Sequence, residues 1–416
     1  MDHRTGMKRG ILFWQWMVLF LVFLMAVGIY SMLAVVLLRQ RGDRQAAASA
    51  LPTPPAEAVQ ILTPLDGALV QHGTVIPVRV LMAEAGFLQA GLQVDGVTVG
   101  VHINPDPQTV PAMVEWALEN VGEGPHRLAV QARKADGGVT TSSPLTVTVV
   151  PSGRLAFASN RDGPYAIYTM GTDGRSLLRL SSGPGDARQP ACRQDGAVAF
   201  VVEGSGGGAT IRQVTGNGEQ NLFAGRDPAW SPDGGRLAYA ASVDGVSQLF
   251  VAGIGQGNPV QVTTEEVYAG QPAWSPDGTR LAYVAEREKN LDIWVVSLDG
   301  REAPVRLTDD PAMDWAPAWS PDGSRLAFVS NRGGSHQIYV MRADGSEVHP
   351  VTDFLQGAEA PAWSPDGYWL AFVAYSGEGS GVNSRELYLM RAGGQDPVRL
   401  THNSHDDADP DWIGEP

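Results

Sequence analysis

The sequence predicts an all-β fold in which a six-bladed β-propeller follows a β-sandwich and one N-terminal transmembrane α-helix. Three observations lead to this prediction. A motif containing Pro-Ala-Trp recurs through the last two thirds of the chain, short strand-like segments fill the region before it, and the N-terminus carries a long uncharged stretch. The predicted parts are a cytoplasmic tail (1–10), a transmembrane helix (11–38), a linker (39–58), a sandwich (59–150) and a propeller (151–416).

The repeated motif is Pro-Ala-Trp-Ser-Pro-Asp-Gly, which occurs four times, with a variant at 190–196 and a shortened copy at 409–412. The steps between successive Trp residues, or Cys192 in the variant, are 38, 44, 45, 44 and 49 residues. A period in the forties with strand-like segments is typical of β-propellers. Each motif strand is followed by a Ser-Pro-Asp-Gly turn and three further strand-like segments, and four strands make one blade.

The two ends of the repeat region predict how the ring closes. Segments 154–159, 166–170 and 177–181 have the pattern of a blade that lacks its motif strand, whereas residues 409–413 form a motif strand without its turn. We expect residues 409–413 to complete the first blade, because that pairing leaves the ring without an open edge.

These repeats resemble the WD-like propeller repeats of the TolB family, periplasmic proteins of the Tol–Pal envelope system, and those of some oligopeptidases. The resemblance to TolB implies a propeller that binds protein or peptide segments. The chain departs from TolB before the repeats, where TolB has a small α/β domain, and its second repeat is degenerate at 203–214. The oligopeptidases also carry an α/β-hydrolase domain, for which we expect no counterpart here.

Residues 59–150 contain about seven short apolar segments separated by turn signals, and one hairpin is expected to close at Asp95-Gly96. That many strands in so few residues suits a β-sandwich, with Trp116 in the core between its sheets. The segments at 63–80 and 124–137 resemble bacterial immunoglobulin-like domains, without the cysteine pair of antibody domains. The resemblance implies a spacer or an adhesive module.

The N-terminal stretch 11–38 has 28 residues and no charge, and about 20 apolar residues span a bilayer. Trp14, Trp16 and Tyr30 suit the membrane interfaces. A cleaved signal peptide is the alternative, but its apolar core has only about 7–15 residues. Three basic residues lie on each side, so charge barely decides the orientation. We expect an uncleaved anchor, a Pro/Ala-rich linker at 39–58, and the bulk of the chain outside the cytoplasm.

The charge of the chain excludes one class of partner. Its 416 residues have a net charge of −15 at pH 7, and residues 51–416 hold 43 acidic against 24 basic residues. Such a domain repels phosphates, so we expect no nucleic-acid partner. The only cysteine, Cys192, stands where other repeats have Trp, which favours an apolar filler over a nucleophile and excludes a disulfide within one chain.

The two faces of the predicted ring differ in sequence. The Ser-Pro-Asp-Gly and Ala-Asp-Gly turns share one face and serve the backbone, whereas the loops of the other face vary among the repeats. Variable loops on a rigid scaffold commonly bind ligands, although solvated loop residues are the alternative interpretation. Asp411 replaces the small alanine of the other motif strands and is expected to line the channel. The candidate ligand-binding residues are Asp186, Arg188, Tyr268, Asp314, Trp315, Glu359, Asp406, Asp407 and Asp411.

Metal and catalytic patterns are weak. Residues 401–411 combine His402, His405, Asp406, Asp407 and Asp409, which are side chains that bind zinc or calcium. The run occurs in one repeat only, so we favour loop polarity and expect no metal and no cofactor. The sequence lacks Gly-x-Ser-x-Gly, His-Glu-x-x-His and a phosphate-binding loop, so no catalytic residue is assigned.

The sequence therefore favours a membrane-anchored, extracytoplasmic binding or scaffold protein that presents a propeller face to a protein or peptide at the cell envelope. A cell-wall glycan is the second choice of ligand. The alternative class is a propeller enzyme, a lyase or glycoside hydrolase acting on cell-surface polysaccharide, which requires acids, histidines or a metal at the channel mouth. A stalked structural module without a specific ligand is the third possibility.

Overall fold

The computed structural model describes residues 57–414, except residues 105, 205, 265 and 376–383. The described residues form 33 β-strands and no helix, in agreement with an all-β fold. The predicted transmembrane helix at 11–38, the tail before it and nearly all of the linker lie outside the described residues. Within the described part of the chain, no helix is long and apolar enough to cross a membrane.

The first nine strands lie within residues 59–150 and form two sheets. They are β1 (Val59–Thr63), β2 (Ala68–Gln71), β3 (Ile76–Met82), β4 (Phe87–Val94), β5 (Val97–Ile103), β6 (Ala112–Leu118), β7 (Gly124–Lys134), β8 (Val139–Thr141) and β9 (Leu145–Val150). The smaller sheet has the order β1-β3-β6, and the larger has the order β2-β9-β7-β4-β5 with β8 beside β7. The predicted hairpin is confirmed, since Asp95 and Gly96 join β4 to β5 with positive φ at both positions.

Burial alternates along these strands, which gives each sheet one apolar face. In β3, Val78 and Val80 are fully buried while Arg79 between them is exposed. Trp116 lies at the margin of the two sheets, where it packs edge-on against His102 of β5. A Cβ atom on Gly100 would overlap the Trp116 ring, so glycine is required at this approach. Trp116 thus joins the edges of the sheets and does not fill the centre of the core.

The other strands form six four-stranded antiparallel sheets in the described residues, which we number in chain order. Sheet 1 contains β10 (Arg154–Ser159), β11 (Ala166–Gly171), β12 (Leu178–Arg179) and β33 (Asp407–Ile413). Sheet 2 contains β13 (Asp186–Cys192), β14 (Val198–Glu203), β15 (Ala209–Thr215) and β16 (Gly218–Ala224). Sheet 3 contains β17 (Arg226–Trp230), β18 (Arg236–Val243), β19 (Val246–Gly253) and β20 (Gln256–Gln261).

Sheet 4 contains β21 (Ala269–Trp274), β22 (Arg280–Arg287), β23 (Asn290–Ser297) and β24 (Val305–Arg306). Sheet 5 contains β25 (Asp314–Trp319), β26 (Arg325–Ser330), β27 (Gln337–Arg342) and β28 (His349–Pro350). Sheet 6 contains β29 (Ala358–Trp363), β30 (Trp369–Tyr375), β31 (Arg385–Arg391) and β32 (Val398–Arg399).

The C-terminal strand β33 closes sheet 1 by pairing with β10. Trp412 lies opposite Leu155, and Ile413 lies opposite Arg154. This register confirms the predicted closing strand. The motif strands β33, β13, β17, β21, β25 and β29 also contact one another in a continuous circuit. The chain end is therefore held by hydrogen bonds to the start of the repeat region.

Tryptophans of the motif strands link neighbouring sheets. The Nε1 atom of Trp230 donates to the Ala191 carbonyl of the preceding sheet at 3.1 Å, and Trp274, Trp363 and Trp412 make the equivalent bond. Cys192 occupies the equivalent position in sheet 2, where its Sγ lies 3.9 Å from the Asp411 carbonyl oxygen. The cysteine thus replaces a tryptophan at an interface between sheets.

The sandwich and the repeat region are in direct contact. The Glu123 carboxylate accepts a hydrogen bond from Trp369 Nε1 at 2.8 Å and one from Arg391 at 3.2 Å. The Arg391 guanidinium also lies 4.3 Å from the Trp369 ring centre. On the neighbouring sheet, the Gln71 amide donates to the Gly153 carbonyl at 2.9 Å. These contacts fix the sandwich against sheets 1 and 6.

Candidate functional site

The six motif strands surround a central cavity of about 390 Å³. Its wall contains residues from every one of these strands, and Asp411 is among them, as the sequence predicted. We call the side with the Ser-Pro-Asp-Gly turns the turn face. The opposite side, with the loops that join second to third strands and lead into the motif strands, is the loop face.

Each motif strand has a bulge at the residue three positions before its Trp or Cys192. All six of these residues have φ between 51° and 53°, and the pairing register with the adjacent strand shifts there in every sheet. A left-handed conformation costs energy for residues other than glycine, so a sixfold repeat indicates a selected feature. The residues are Gln189, Asp227, Gln271, Ala316, Ala360 and Asp409.

The bulges direct backbone N–H groups toward side chains of the preceding strand. The amide of Asp227 donates to Gln189 Oε1 at 3.2 Å, and the amide of Gln271 donates to Asp227 Oδ2 at 3.0 Å. In the first bond of this series the Gln189 amide donates to the Asp409 carboxylate, and in the last the Ala316 amide donates to Gln271 Oε1. Four bonds from polar side chains therefore link five neighbouring strands, whereas Ala316 and Ala360 interrupt the circuit.

Three carboxylates line the central cavity, and burial raises the pKa of each. The pKa of Asp411 is raised to about 6, although hydrogen bonds from the Cys192 and Trp412 amides oppose the shift. Burial also raises the pKa values of Asp227 and Asp409, and Asp409 adds to the shift of Asp227 by charge repulsion. Every one of these carboxylates accepts a backbone N–H, so each supports the walls of the cavity.

An apolar pocket of about 470 Å³ opens on the loop face between sheets 4 and 5. Predicted residues Tyr268 and Trp315 form part of its wall, together with Leu291 and Met313. The Trp315 ring is held edge-on against His336, with 4.8 Å between the ring centres. Burial raises the pKa of Tyr268 to about 12, so its hydroxyl stays protonated at neutral pH. We call this site the Trp315 pocket.

A groove of about 730 Å³ lies beside the Trp315 pocket and the central cavity. Small residues form one side of it, including Gly207, Gly208 and Gly225 from the degenerate second repeat and the loop after it. Gln271 lines the groove, the Trp315 pocket and the central cavity alike. The groove, the Trp315 pocket and the central cavity therefore adjoin one another on the loop face. We call the groove the glycine groove.

Two more predicted residues, Arg188 and Asp406, meet beside Tyr165. The Arg188 guanidinium carbon lies 3.4 Å from the Tyr165 ring centre, and the Tyr165 hydroxyl donates to Asp406 at 3.0 Å. Burial opposes ionisation of Asp406, but hydrogen bonds from the Arg385 amide and Tyr165 and the Arg385 charge lower its pKa. Asp186 is close by, since its Oδ1 accepts the Tyr165 amide at 2.9 Å.

Asp314 and Asp407 are corrections to the predicted set. We expected exposed carboxylates, but both residues are fully buried. Asp314 pairs with Arg332 at 2.9 Å, and Asp407 pairs with Arg161 at 2.8 Å. Each arginine belongs to a Ser-Asn-Arg segment that turns back from the second strand of its sheet. These two carboxylates hold loops in place and do not reach a ligand from solvent.

The remaining candidates are distributed around the mouth. Glu359 contacts His336 at 3.1 Å, next to the Trp315 pocket. The run at 401–411 does not converge, because Asp406, Asp407 and Asp409 point to three different partners and His402 and His405 are exposed. In the described part of the chain, no three His, Cys, Asp or Glu residues are grouped to hold a metal.

Sequence reasoning missed several residues of this face. Tyr165 and Arg385 were not singled out, and neither were the bulge residues Gln189, Asp227 and Gln271. An alignment of the repeats contained a signal for the bulges, because the position three before the Trp alternates among Gln, Asp and Ala. Nothing in the repeats indicated that Arg385 of sheet 6 would reach Tyr165 of sheet 1, since that contact depends on closure.

Comparisons with known proteins agree with this geometry. Residues 224–357 match the family model described as the TolB beta propeller domain. Sheets 3, 4 and 5 lie within this region, which is similar to part of a TolB β-propeller. TolB from Acinetobacter baumannii is 18% identical, and the match covers 70% of this chain and 80% of that one with a TM-score of 0.55. At this identity the likeness shows the fold alone.

Two further structures are similar to this chain at lower TM-scores. A putative TolB from Agrobacterium tumefaciens is 22% identical over 64% of this chain and 99% of that chain, with a TM-score of 0.49. An oligogalacturonate lyase from Vibrio parahaemolyticus is 17% identical over 61% of this chain and 75% of that chain, with a TM-score of 0.43. Among curated proteins, no relative matches.

Proposed function

We propose that this protein is an extracytoplasmic binding or scaffold protein whose loop face binds an extended segment of a protein partner. In this proposal the six sheets are the blades of one closed propeller, and the sandwich is an immunoglobulin-like spacer. The stretch 11–38 anchors the chain in the membrane of the cell envelope. The location follows from the uncharged stretch and from the resemblance to periplasmic TolB.

The observation that carries the proposal is the continuity of three spaces on the loop face. The Trp315 pocket offers an apolar recess, the glycine groove leaves room for a backbone, and Gln271 joins both to the central cavity. A pocket for one side chain beside a groove that leaves room for a backbone suits a peptide ligand. A glycan lacks the apolar side chain that such a recess accepts.

An enzyme acting on polysaccharide remains the alternative, and within the described residues its structural support is the three cavity carboxylates. Asp227, Asp409 and Asp411 lie close together, but each already accepts hydrogen bonds from the protein. A general acid or base must instead reach the substrate proton. Binding therefore accounts for more of the face than catalysis does.

Cross-linking in the membranes of the expressing cells tests the proposal with the full-length protein. We expect a partner to be captured by the wild type and to be lost with Trp315→Ala, because truncation removes a wall of the apolar pocket. Tyr368→Ala is the matched control, since Tyr368 is an exposed aromatic residue beside a turn-face Ser-Pro-Asp-Gly segment. Capture that is equal for all three proteins, or no capture by the wild type, contradicts the proposal.

A further inference from the structure

Three side chains from three different sheets meet on the loop face next to the glycine groove. Tyr165 precedes β11 of sheet 1, Arg188 lies on β13 of sheet 2, and Arg385 begins β31 of sheet 6. The Arg188 guanidinium stacks on the Tyr165 ring at 3.4 Å, and Arg385 Nη2 donates to the Tyr165 hydroxyl at 2.7 Å. A buried tyrosine therefore fixes two guanidinium groups, one at its face and one at its hydroxyl.

Two acids interact with the guanidinium groups of this cluster, and one of them forms an ion pair in the described part of the chain. Asp406 pairs with Arg385 through one contact of 3.4 Å, whereas Asp409 attracts both guanidinium groups by charge without an ion-pair contact. Arg188 forms no ion pair and no side-chain hydrogen bond with any of the described residues, although a guanidinium has five N–H donors. An arginine that is held in place by stacking and left without an acceptor is prepared for an anion from outside.

A comparison with Arg226 shows that the missing ion pair, within the described residues, is particular to Arg188. Both arginines directly precede the bulge residue of their motif strand, Arg188 in sheet 2 and Arg226 in sheet 3. The Arg226 guanidinium contacts both carboxylate oxygens of Glu203, with 2.9 Å from Nη2 to Oε2. The neighbouring sheet thus provides the same residue in the same position with its charge already satisfied.

We propose that Arg188 and Arg385 bind a carboxylate of the peptide segment that occupies the loop face. A guanidinium matches a carboxylate through paired hydrogen bonds, which gives direction as well as affinity. The inference rests on the proposed peptide-binding function and adds a charge requirement to it. A peptide is favoured over a uronic acid because Gln189, which follows Arg188, lines the glycine groove that leads to the Trp315 pocket.

Overall charge does not explain an anion site, because the chain as a whole repels anions. Its net charge is −15 at pH 7, so any attraction must come from nearby groups, and salt screens distant charges beyond about 10 Å. A peptide that presents one acidic and one apolar side chain matches both recesses of the face. Discrimination is then expected between acidic peptides and their neutral isosteres.

Isothermal titration of the full-length protein in detergent tests the inference with defined probes. The probes are acetyl-Trp-Ala-Ala-Glu-amide, the same peptide with Gln in place of Glu, and digalacturonate. We expect the wild type to bind the Glu peptide about 10- to 100-fold more tightly than the Gln peptide, since a hydrogen bond to a charged group has that value. Arg226→Gln should keep this ratio, and Arg188→Gln should reduce it to about one.

Each other outcome is informative. Equal binding of both peptides by the wild type, or an unchanged ratio in Arg188→Gln, overturns the carboxylate site and leaves the proposed peptide function intact. Binding of digalacturonate without either peptide assigns the arginines to a sugar acid and overturns both proposals. Absence of all binding at millimolar concentration also overturns both. The melting temperature of Arg188→Gln is measured in parallel, because a purely structural role would change stability without changing the Glu/Gln ratio.

Discussion

Replacing Asp411 by Asn measures how much the free energy of unfolding falls because a carboxylate lies in the central cavity. Five of the six motif strands have Ala at this position, and only β33 has an acid. Both carboxylate oxygens accept backbone amides, that of Cys192 at 2.6 Å and that of Trp412 at 2.9 Å. Asn retains one of these acceptors and cannot ionise, so the variant separates hydrogen bonding from charge.

The pKa of Asp411 sets the size and direction of the effect. It rises from 3.8 to about 6 because burial disfavours the charged form. The folded state therefore holds its proton more tightly than the unfolded state between these values, and the stability of the wild type falls as pH rises through this window. This rise in pKa corresponds to about 3 kcal/mol of folding free energy. The Asn variant does not lose stability in this way, because its side chain cannot ionise.

We expect Asp411→Asn to be about 1 kcal/mol less stable than the wild type at pH 4, because one hydrogen bond is lost. At pH 7.5 it should be about 2 kcal/mol more stable, because the cost of the buried charge is gone. Urea unfolding of the full-length protein, followed by tryptophan fluorescence at several pH values, measures this difference. Asp277→Asn is the control, since hydrogen bonds on the turn face lower the Asp277 pKa to about 2 and keep it outside the window.

A difference between Asp411→Asn and wild type that stays constant within about 0.5 kcal/mol from pH 4 to 7.5 would refute this reasoning. It would mean that the carboxylate titrates alike in both states, so that water in the cavity solvates it fully. A pH dependence that appears equally in Asp277→Asn would point to a general charge effect instead.

Three further predictions concern the architecture. Trp363→Phe should lower the free energy of unfolding in urea by about 1 kcal/mol more than Trp319→Phe does. The reason is that Trp363 Nε1 donates to an acceptor, whereas Trp319 Nε1 has none among the described residues. Asp407→Asn should destabilise by about 3 kcal/mol, because Arg161 loses the counter-charge of a buried pair, and a loss below about 1 kcal/mol would contradict that pairing. Glu123→Ala should accelerate proteolysis between the sandwich and the propeller, and unchanged cleavage would show that other contacts suffice.

The repeats gave reliable local predictions because the requirements they encode are local. The Ser-Pro-Asp-Gly turn needs a fixed φ and a positive φ at defined positions, and its strands need alternating apolar residues. For the same reason the hairpin at Asp95-Gly96 was predictable. The closing strand was predictable as well. The first blade of the repeat region lacks a motif strand, and residues 409–413 form a motif strand that no later strands follow.

Residues of the loop face were harder to predict because their environment comes from other sheets. Asp314 and Asp186 both begin motif strands, yet only Asp314 is fully buried, because its partner is an arginine of the adjacent loop. Arg188 and Arg226 occupy the same position in two repeats, but among the described residues only Arg226 forms an ion pair. No pattern within one repeat contains that information.

Sequence alone therefore determined the all-β class, the motif period and the likeness to TolB propellers, since these depend on residues within about 45 positions of one another. Only the tertiary structure decided which polar side chains face a ligand and which support the backbone. Closure brings Tyr165, Arg188 and Arg385 together from sheets 1, 2 and 6. The physical reason is that burial and charge balance depend on neighbours in space, and the chain places those neighbours some 20 to 220 residues apart.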